Sequence, residues 1–282
     1  KLSVRSSLSA SSGRGRNGAQ KSLVVGNSSP RGTTPTISTG APRYPKFAKW
    51  SSSAKIAAMP CSCAAVGATA RHFDEARARQ ELASLLEHGP AVTTEGLLGE
   101  LAALGSPPES MLDVGSGIGA LVFGLLERGV LRATAVDISG AALGVQAEEA
   151  ERRGLAARVE LHEGDFVELA PRLPVVDLVT LDRVVCCYPA HAPLLDAAAA
   201  HSRRLLALSF PRDRWWVRLM FVADNFWRRL RRDAFRTFVH PPRAMSILLE
   251  DRGFTRRRVT RSWTWQIEVY ERTPARGSPG RS

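Results

Sequence analysis

The sequence lacks the features that build a membrane span, a disulfide scaffold or a common hydrolytic site. Its longest uncharged, mostly apolar run, 56–70, has 15 residues and includes Pro60, whereas a membrane helix needs about 20 apolar residues. Four cysteines in 282 residues are too few to replace a hydrophobic core with disulfides. The patterns H-E-x-x-H, G-x-x-x-x-G-K-[ST] and G-x-S-x-G are absent, so the zinc-protease, phosphate-loop and nucleophile-elbow signatures are excluded.

Acidic residues are missing from the first part of the chain. Residues 1–58 contain ten Lys or Arg and no acid, and the first acid is Asp74. The net charge of +12 is therefore concentrated in this segment, because the other 224 residues carry 29 basic and 27 acidic groups. A nearly neutral body disfavours nucleic-acid binding, which needs a basic folded surface.

The basic segment 1–58 also has 13 serines and no sustained apolar periodicity. We expect it to be disordered, since it cannot bury enough apolar surface to offset its ordering entropy. Its composition is typical of an organelle transit peptide, with the chloroplast preferred to the mitochondrion. Two alternatives stay open: a sequence upstream of a natural start at Met59, which would leave a cytoplasmic protein, or a basic arm that binds RNA.

Helical periodicity is expected within 59–110, and strand and helix signals alternate from 111 to 272. The strand-like segments are 111–114, 133–136, 157–162, 175–185 and 205–210, and the helix-like segments between them are 120–128, 141–153 and 192–201. This alternation predicts an α/β, Rossmann-like fold with a mostly parallel sheet and helices on both faces. The final strands, 255–260 and 263–270, are joined by two residues and must be antiparallel. Residues 273–282 are expected to be flexible.

A glycine-rich loop, 112–120, lies between the first strand and its helix. Glycines allow a ligand to approach the backbone closely, and ligands of open α/β sheets bind at the carboxyl ends of strands. Taken alone, Gly115, Gly117 and Ala120 also satisfy the dinucleotide pattern G-x-G-x-x-G/A. Asp113 favours S-adenosylmethionine instead, because a carboxylate there repels a pyrophosphate and attracts an ammonium or sulfonium group.

Further acids follow the next strands at the same edge. Asp137 comes 20 residues after Gly117 and can accept from ribose hydroxyls in either cofactor class. Asp165 can accept from the adenine amino group, and Phe166 can cover the adenine ring. The candidate cofactor-binding residues are thus Asp113, Gly115, Ser116, Gly117, Gly119, Asp137, Ile138, Asp165, Phe166 and Asp182.

The chain resembles the class I S-adenosylmethionine-dependent methyltransferases in four segments that occur in the same order. These are the loop 112–120, Asp137, the Gly-Asp pair 164–165 and the strand 181–189. The resemblance covers roughly residues 74–272. It implies a seven-stranded sheet with the last strand antiparallel, S-adenosylmethionine as cofactor, and methyl transfer as the activity.

The second half of the chain is similar to the magnesium-protoporphyrin IX O-methyltransferases, which methylate a tetrapyrrole propionate. The similarity rests on 182–189, 205–211 and 239–241; where that family commonly has Leu-Ile-His before Tyr-Pro, this sequence has Val-Cys-Cys. The implied acceptor is a small molecule with a carboxylate or hydroxyl on a tetrapyrrole-like or other apolar ring.

Catalysis by such an enzyme consists mainly of aligning the nucleophile, the methyl group and the sulfur. A hydroxyl acceptor would also need a general base. The candidates for that base are Tyr188, His191 and His240. Arg183 and Tyr188 also follow the fourth strand, where the resemblance implies substrate contacts. No metal site is expected; the adjacent cysteines 186–187 would point to opposite faces of a strand and are interpreted as small hydrophobic residues.

The segment 212–240 is expected to be an insertion that covers the acceptor side. Trp215, Leu219, Val222, Phe226 and Leu230 recur at helical spacing among many arginines. Three interpretations stay open: a helix that covers a flat, carboxylate-bearing acceptor, a helix whose aromatic face packs on the sheet, or a basic amphipathic helix in peripheral contact with a membrane through 212–232. A non-catalytic protein of the same fold could also bind a partner or membrane here. The sequence does not indicate the oligomeric state.

Overall fold

The computed structural model describes residues 63–273, and the predictions for 1–58 and for 274–282 lie outside the described residues. The helices are α1 (Cys63–His72), α2 (Glu75–His88), α3 (Val92–Ala102), α4 (Ala120–Glu127), α5 (Gly140–Arg152), α6 (Phe166–Leu169), α7 (His191–His201), α8 (Trp215–Leu230) and α9 (Pro242–Asp251). The strands are β1 (Ser110–Val114), β2 (Arg132–Asp137), β3 (Val159–Glu163), β4 (Val176–Asp182), β5 (Ser202–Pro211), β6 (Phe254–Arg261) and β7 (Trp265–Arg272).

The strands form one seven-stranded sheet in the order β3-β2-β1-β4-β5-β7-β6. Strands β1 to β5 are parallel, and β7 runs antiparallel to β5 and to β6. The predicted fold class is therefore confirmed. The β6–β7 connection consists of residues 262–264 rather than two residues, which is still far too short for a parallel crossover.

Both faces of the central strands are buried. Leu194 and Leu195 of α7 join a cluster on one face, and Leu97 and Val122 join a cluster on the other. Each fully buried side chain of this kind contributes roughly 1.5–3 kcal/mol. Parallel strands covered on both faces are continuously apolar in sequence, which explains why β4 and β5 were recognisable.

Side-chain caps fix the loops at the carboxyl edge of the sheet. Ser139 accepts from the N–H of Ala142 at the start of α5, and Asp165 accepts from the N–H of Val167 at the start of α6. Such caps satisfy backbone donors that the first helical turn leaves unpaired. The short helix α6 follows β3 directly and was not predicted, because four residues carry too little periodicity.

Helix α8 presents its apolar face to solvent. Trp215, Leu219, Val222, Phe226 and Leu230 are all more than half exposed, whereas Val217 on the opposite side is fully buried. The interpretation in which this aromatic face packs on the sheet is wrong. Within residues 63–273 the length and apolar character of each helix fall short of what crossing a bilayer requires.

Candidate active site

The β1–α4 loop carries three glycines with positive φ, namely 66° at Gly115, 54° at Gly117 and 82° at Gly119. A Cβ on Gly115 would lie 2.4 Å from Cγ2 of Val184, so the loop packs directly on the turn after β4. A Cβ on Gly117 would meet nothing within 4 Å. Gly117 therefore borders open space, and a ligand can approach the backbone most closely there.

Asp137 is tied to this loop by backbone hydrogen bonds. Its Oδ2 accepts from the N–H of Gly117 at 2.7 Å, and its Oδ1 accepts from the N–H of Ser139 at 2.8 Å. Burial raises the pKa of Asp137, and Glu81 adds to this, while the backbone donors oppose it. Each carboxyl oxygen keeps a further lone pair, so Asp137 can still accept from ligand hydroxyls as predicted.

Asp113 lies near the carboxyl end of β1. Its side chain is buried in the sheet, with the Thr180 hydroxyl 2.6 Å from Oδ1. Burial, with a contribution from neighbouring carboxylates, raises the pKa of Asp113 to about 8. The carboxyl group of Asp113 is thus shielded from solvent and tied to β4, and its predicted role in selecting the cofactor stays a prediction.

Asp182 at the end of β4 is held by two hydroxyl groups that the sequence did not reveal. Thr94 Oγ1 and Ser209 Oγ each donate to it at 2.5 Å. Together with Asp113 and Asp137, it places three carboxyl groups at the ends of neighbouring strands. Asp182 and Asp137 both contribute to the raised pKa of Asp113. A cationic ligand bound at these strand ends would favour the ionised forms of the carboxyl groups.

Asp165 and Phe166 were predicted to contact the adenine of the cofactor, and the structure gives them different surroundings. Asp165 caps α6 and also accepts from the Tyr188 hydroxyl through Oδ1 at 2.8 Å. Phe166 is 2% exposed and lies in the core with an edge contact to His201. The prediction that Phe166 covers the adenine ring is wrong, because the first turn of α6 directs its ring into the protein.

Ser116 and Gly119 both contact Gln146 on α5, and the cofactor contacts of Ser116, Gly119 and Ile138 stay predictions. Ser116 donates to Oε1 of Gln146 at 2.9 Å and is buried. Gly119 immediately precedes α4 and packs so tightly on Gln146 that a Cβ would lie 2.7 Å from its Nε2. Ile138 is half-buried beside Asp137. Gln146, on α5, is a supporting residue that no local sequence pattern indicated.

Arg183 adopts a left-handed backbone conformation, with φ at 61°. A non-glycine residue in this region is uncommon and often marks a functional turn. Its guanidinium lies 3.2 Å from Oε1 of Glu81 on α2. Glu81 was not predicted, yet it reaches the same edge of the sheet and contributes to the raised pKa of Asp137.

His191 and His240, 49 residues apart in sequence, form a hydrogen-bonded pair with their Nδ1 atoms 3.3 Å apart. His240 Nε2 lies 2.9 Å from the carbonyl oxygen of Tyr188. Since a carbonyl only accepts, His240 Nε2 carries a proton; in the neutral ring its Nδ1 then accepts from Nδ1–H of His191. Burial and the adjacent His240 lower the pKa of His191. The neutral pair therefore leaves Nε2 of His191 as the basic nitrogen.

The two cysteines lie on a short 3-10 turn, Val185–Cys187, rather than on a strand. Their sulfur atoms are 3.9 Å apart, and both lie near the carbonyl oxygen of Arg183. The expectation that they point to opposite faces is wrong, because the chain has left β4 before it reaches them. Cys186 is buried, as expected for a small hydrophobic residue.

Comparison with known proteins identifies the domain. A family model described as a methyltransferase domain matches residues 111–208, which span the glycine loop and strands β1 to β5. The chain contains a class I S-adenosylmethionine-dependent methyltransferase domain. Within this methyltransferase domain, Gly117 leaves the loop open, Asp137 keeps acceptor sites for ribose hydroxyls, and the carboxyl groups favour a sulfonium. The described residues thus fit the cofactor of the family.

A curated relative covers part of the same domain. The release factor glutamine methyltransferase of Cereibacter sphaeroides is 42% identical over 91 residues, which are 32% of this chain and 31% of that protein. The chain thus matches less than a third of the length of this relative.

Solved structures share the fold of the methyltransferase domain. Magnesium protoporphyrin IX methyltransferase from Synechocystis PCC 6803 with bound SAH has a TM-score of 0.54 at 21% identity, over 64% of this chain and 82% of that one. An O-methyltransferase family protein from Burkholderia thailandensis has a TM-score of 0.53 at 15% identity, over 64% and 56%. At these identities the likeness concerns the fold alone.

Proposed function

We propose that the protein transfers a methyl group from S-adenosylmethionine to a hydroxyl group on a small, apolar ring compound. The observation that carries this proposal is the basic Nε2 of His191, which the pair with His240 leaves free at the start of α7. A carboxylate acceptor needs no general base, whereas a hydroxyl does. The acceptor would bind between this pair and the carboxyl edge of β4 and β5.

The cofactor side of the site supports the same reaction. When bound, S-adenosylmethionine supplies an electrophilic methyl group on a sulfonium. Asp137 accepts ligand hydroxyls, and the turn at Gly117 leaves space beside it. Tyr188 links this side to the acceptor side, because its hydroxyl binds Asp165 while its carbonyl holds His240. The protein's main contribution is to keep these groups aligned.

The role of each acceptor-side residue follows from its contacts. His191 would remove the proton of the acceptor hydroxyl, and His240 positions His191 by fixing its tautomer. Phe238 stacks near His240, with ring centroids 6.0 Å apart, and its N–H binds the carbonyl of Cys186. These rings, and not the outward-facing tryptophans of α8, are the aromatic surface available to a ring compound.

The test begins with calorimetric titration of the full chain with S-adenosylhomocysteine, and with NAD in parallel. We expect micromolar binding of the first, on the order of −8 kcal/mol, and none of the second. Asp137→Asn should weaken the binding of S-adenosylhomocysteine roughly 10- to 100-fold, because it removes charge-assisted hydrogen bonds. Glu151→Gln, on the exposed side of α5, should leave that binding unchanged. Binding of NAD alone would overturn the proposal.

An acceptor screen follows with hydroxylated and carboxylated apolar rings, scored as methyl transfer from labelled cofactor. Tetrapyrrole propionates belong in it because one solved neighbour is a magnesium protoporphyrin IX methyltransferase. Transfer to a ring hydroxyl, lost in His191→Asn, supports the proposal. Cofactor binding without transfer to any ring would favour the alternative, a non-catalytic protein of this fold that binds a partner.

A further inference from the structure

The most unusual surface of the described chain is the outward side of α8. We define the apolar face of α8 as Trp215, Leu219, Val222, Phe226 and Leu230, which recur every three or four residues and are 57% to 76% exposed. Monomeric proteins rarely expose a contiguous apolar stripe of this length, and such stripes mark interaction surfaces. No residue of the acceptor site lies on it.

Polar contacts fix the rotation of the helix and so keep this face outward. Oδ1 of Asn225 accepts a hydrogen bond from the N–H of Thr237 at 3.0 Å, and Nδ2 of Asn225 donates to the carbonyl oxygen of Thr237 at 2.7 Å. Arg228, on the same side, pairs with Asp224 at 2.7 Å and Asp233 at 3.1 Å. The amphipathic pattern is thus inverted relative to that of an ordinary surface helix, which turns its polar side to water.

Aromatic residues at the borders extend the apolar face. Trp263, in the β6–β7 turn, is 73% exposed and stacks on Trp216 with ring centroids 4.4 Å apart. Trp227 and Met220 lie along the same border and are also exposed. Tryptophan and tyrosine are enriched at the boundary between lipid headgroups and acyl chains, because their rings are amphipathic.

The charges around the face are basic and unpaired. Arg214, Arg229, Arg231 and Arg232 have no acidic partner within residues 63–273, whereas the nearby acid Asp213 is neutralised by Arg218 at 2.5 Å. A second copy of the chain docked on this face would bring like charges together. An anionic surface would instead be attracted by all four guanidinium groups.

We propose that the apolar face of α8 docks on the surface of an anionic lipid bilayer, with the helix lying in the plane of the headgroups. The apolar side chains would enter the boundary of the acyl chains, and the flanking arginines would extend to lipid phosphates. This inference is independent of which acceptor the enzyme methylates.

The test is co-sedimentation of the full chain with vesicles of phosphatidylcholine alone and of phosphatidylcholine mixed with phosphatidylglycerol. We expect at least about tenfold stronger binding to the anionic vesicles. Leu219→Ser/Phe226→Ser should reduce that binding at least about tenfold, because both side chains are exposed and their loss leaves the fold intact. The matched control is Leu86→Ser/Leu131→Ser, at equally exposed positions elsewhere.

The basic segment 1–58 could bind anionic vesicles by itself, so the comparison is repeated at raised salt, where purely ionic attraction is screened. The difference between the wild type and Leu219→Ser/Phe226→Ser should persist there. Quenching of tryptophan fluorescence by brominated acyl chains should accompany binding and weaken in the same variant. Binding that is lost entirely at raised salt and is equal in both proteins would overturn the proposal.

The contribution of charge has its own pair of variants. Arg229→Gln/Arg231→Gln should lower the preference for anionic vesicles several-fold, whereas Arg132→Gln/Arg172→Gln, with the same net charge, should not. The protein alone is also examined by sedimentation equilibrium. If the wild type self-associates without lipid and Leu219→Ser/Phe226→Ser does not, the proposal is overturned. The apolar face of α8 would then bind a second copy of the chain.

Discussion

The hydroxyl of Tyr188 donates to Oδ1 of Asp165 over 2.8 Å, which joins the turn after β4 to the start of α6. The same tyrosine holds His240 through its carbonyl oxygen. Burial and the Asp165 carboxylate raise the pKa of Tyr188 far above its usual range. Tyr188 therefore remains a hydrogen-bond donor at all ordinary pH values and positions other residues, rather than acting as the general base that the sequence also allowed.

Removing this hydroxyl should cost stability. In Tyr188→Phe, the half-buried Asp165 carboxylate loses the hydrogen bond that the Tyr188 hydroxyl donates to it, and we expect the free energy of unfolding to fall by about 1–2 kcal/mol. Urea unfolding followed by circular dichroism measures this. An unchanged midpoint would mean that water replaces the hydroxyl without cost.

His191→Asn should distinguish a hydroxyl acceptor from a carboxylate. With a hydroxyl, we expect kcat to fall about 100-fold or more because the general base is lost. In the wild type, the lowered pKa of His191 keeps it in the basic form at neutral pH. The rate should therefore fall only as the solution becomes more acidic than the ordinary histidine value of about 6.5.

The control for that profile is His88→Asn on the exposed end of α2, which should retain the acid limb. A His191→Asn variant that keeps both its kcat and its acid limb would contradict the role of His191. It would favour a carboxylate acceptor, which needs no base.

Asp113 should make the protein less stable as the pH rises. Its pKa is raised to about 8 in the folded chain, so the folded state binds a proton that the unfolded state has already released. The contribution of Asp113 to the free energy of unfolding is fully present below its pKa in the unfolded chain, which is about 3.9. Above that value, the contribution declines by up to about 1.4 kcal/mol per pH unit as the pH rises towards 8. Asp113→Asn removes this titration.

The measurement is urea unfolding of the wild type and of Asp113→Asn at about pH 5 and about pH 8. We expect the difference in unfolding free energy to move in favour of the variant by up to about 4 kcal/mol between these values. Other titrating groups are common to both proteins and cancel. A difference independent of pH would show that Asp113 is ionised in the folded state.

Two glycines of the same loop should respond differently to alanine. At Gly115 the new methyl group would meet Val184 at 2.4 Å, and we expect a loss of about 2–4 kcal/mol of stability from overpacking and the left-handed backbone. At Gly117 the methyl meets open space, so the loss should be about 1 kcal/mol. Calorimetry should nevertheless show weaker binding of S-adenosylhomocysteine by Gly117→Ala. Equal effects on stability would contradict these separate roles.

The sequence by itself determined the order of strands and helices, the glycine loop, and the acids at the ends of β1 to β4. These features depend on residues close together in the chain, such as the periodicity of apolar side chains and the glycines of 115–119. Asp137 lies where its position after β2 predicted, because the carboxyl ends of parallel strands meet at one edge of the sheet. The antiparallel β6–β7 pair followed from the length of its turn.

Only the tertiary structure decided which way side chains face and which distant residues meet. The stripe of α8 was evident in the sequence, yet periodicity does not say whether a stripe faces the core or the solvent, and Asn225 and Arg228 settle that through contacts outside the helix. Packing between elements far apart in the chain likewise decided other contacts. It brought His191 to His240, placed the hydroxyls of Thr94 and Ser209 on Asp182, and buried Asp113 and Phe166. Local sequence patterns predict the helices and strands, whereas the environment of each side chain depends on the tertiary packing of all of them.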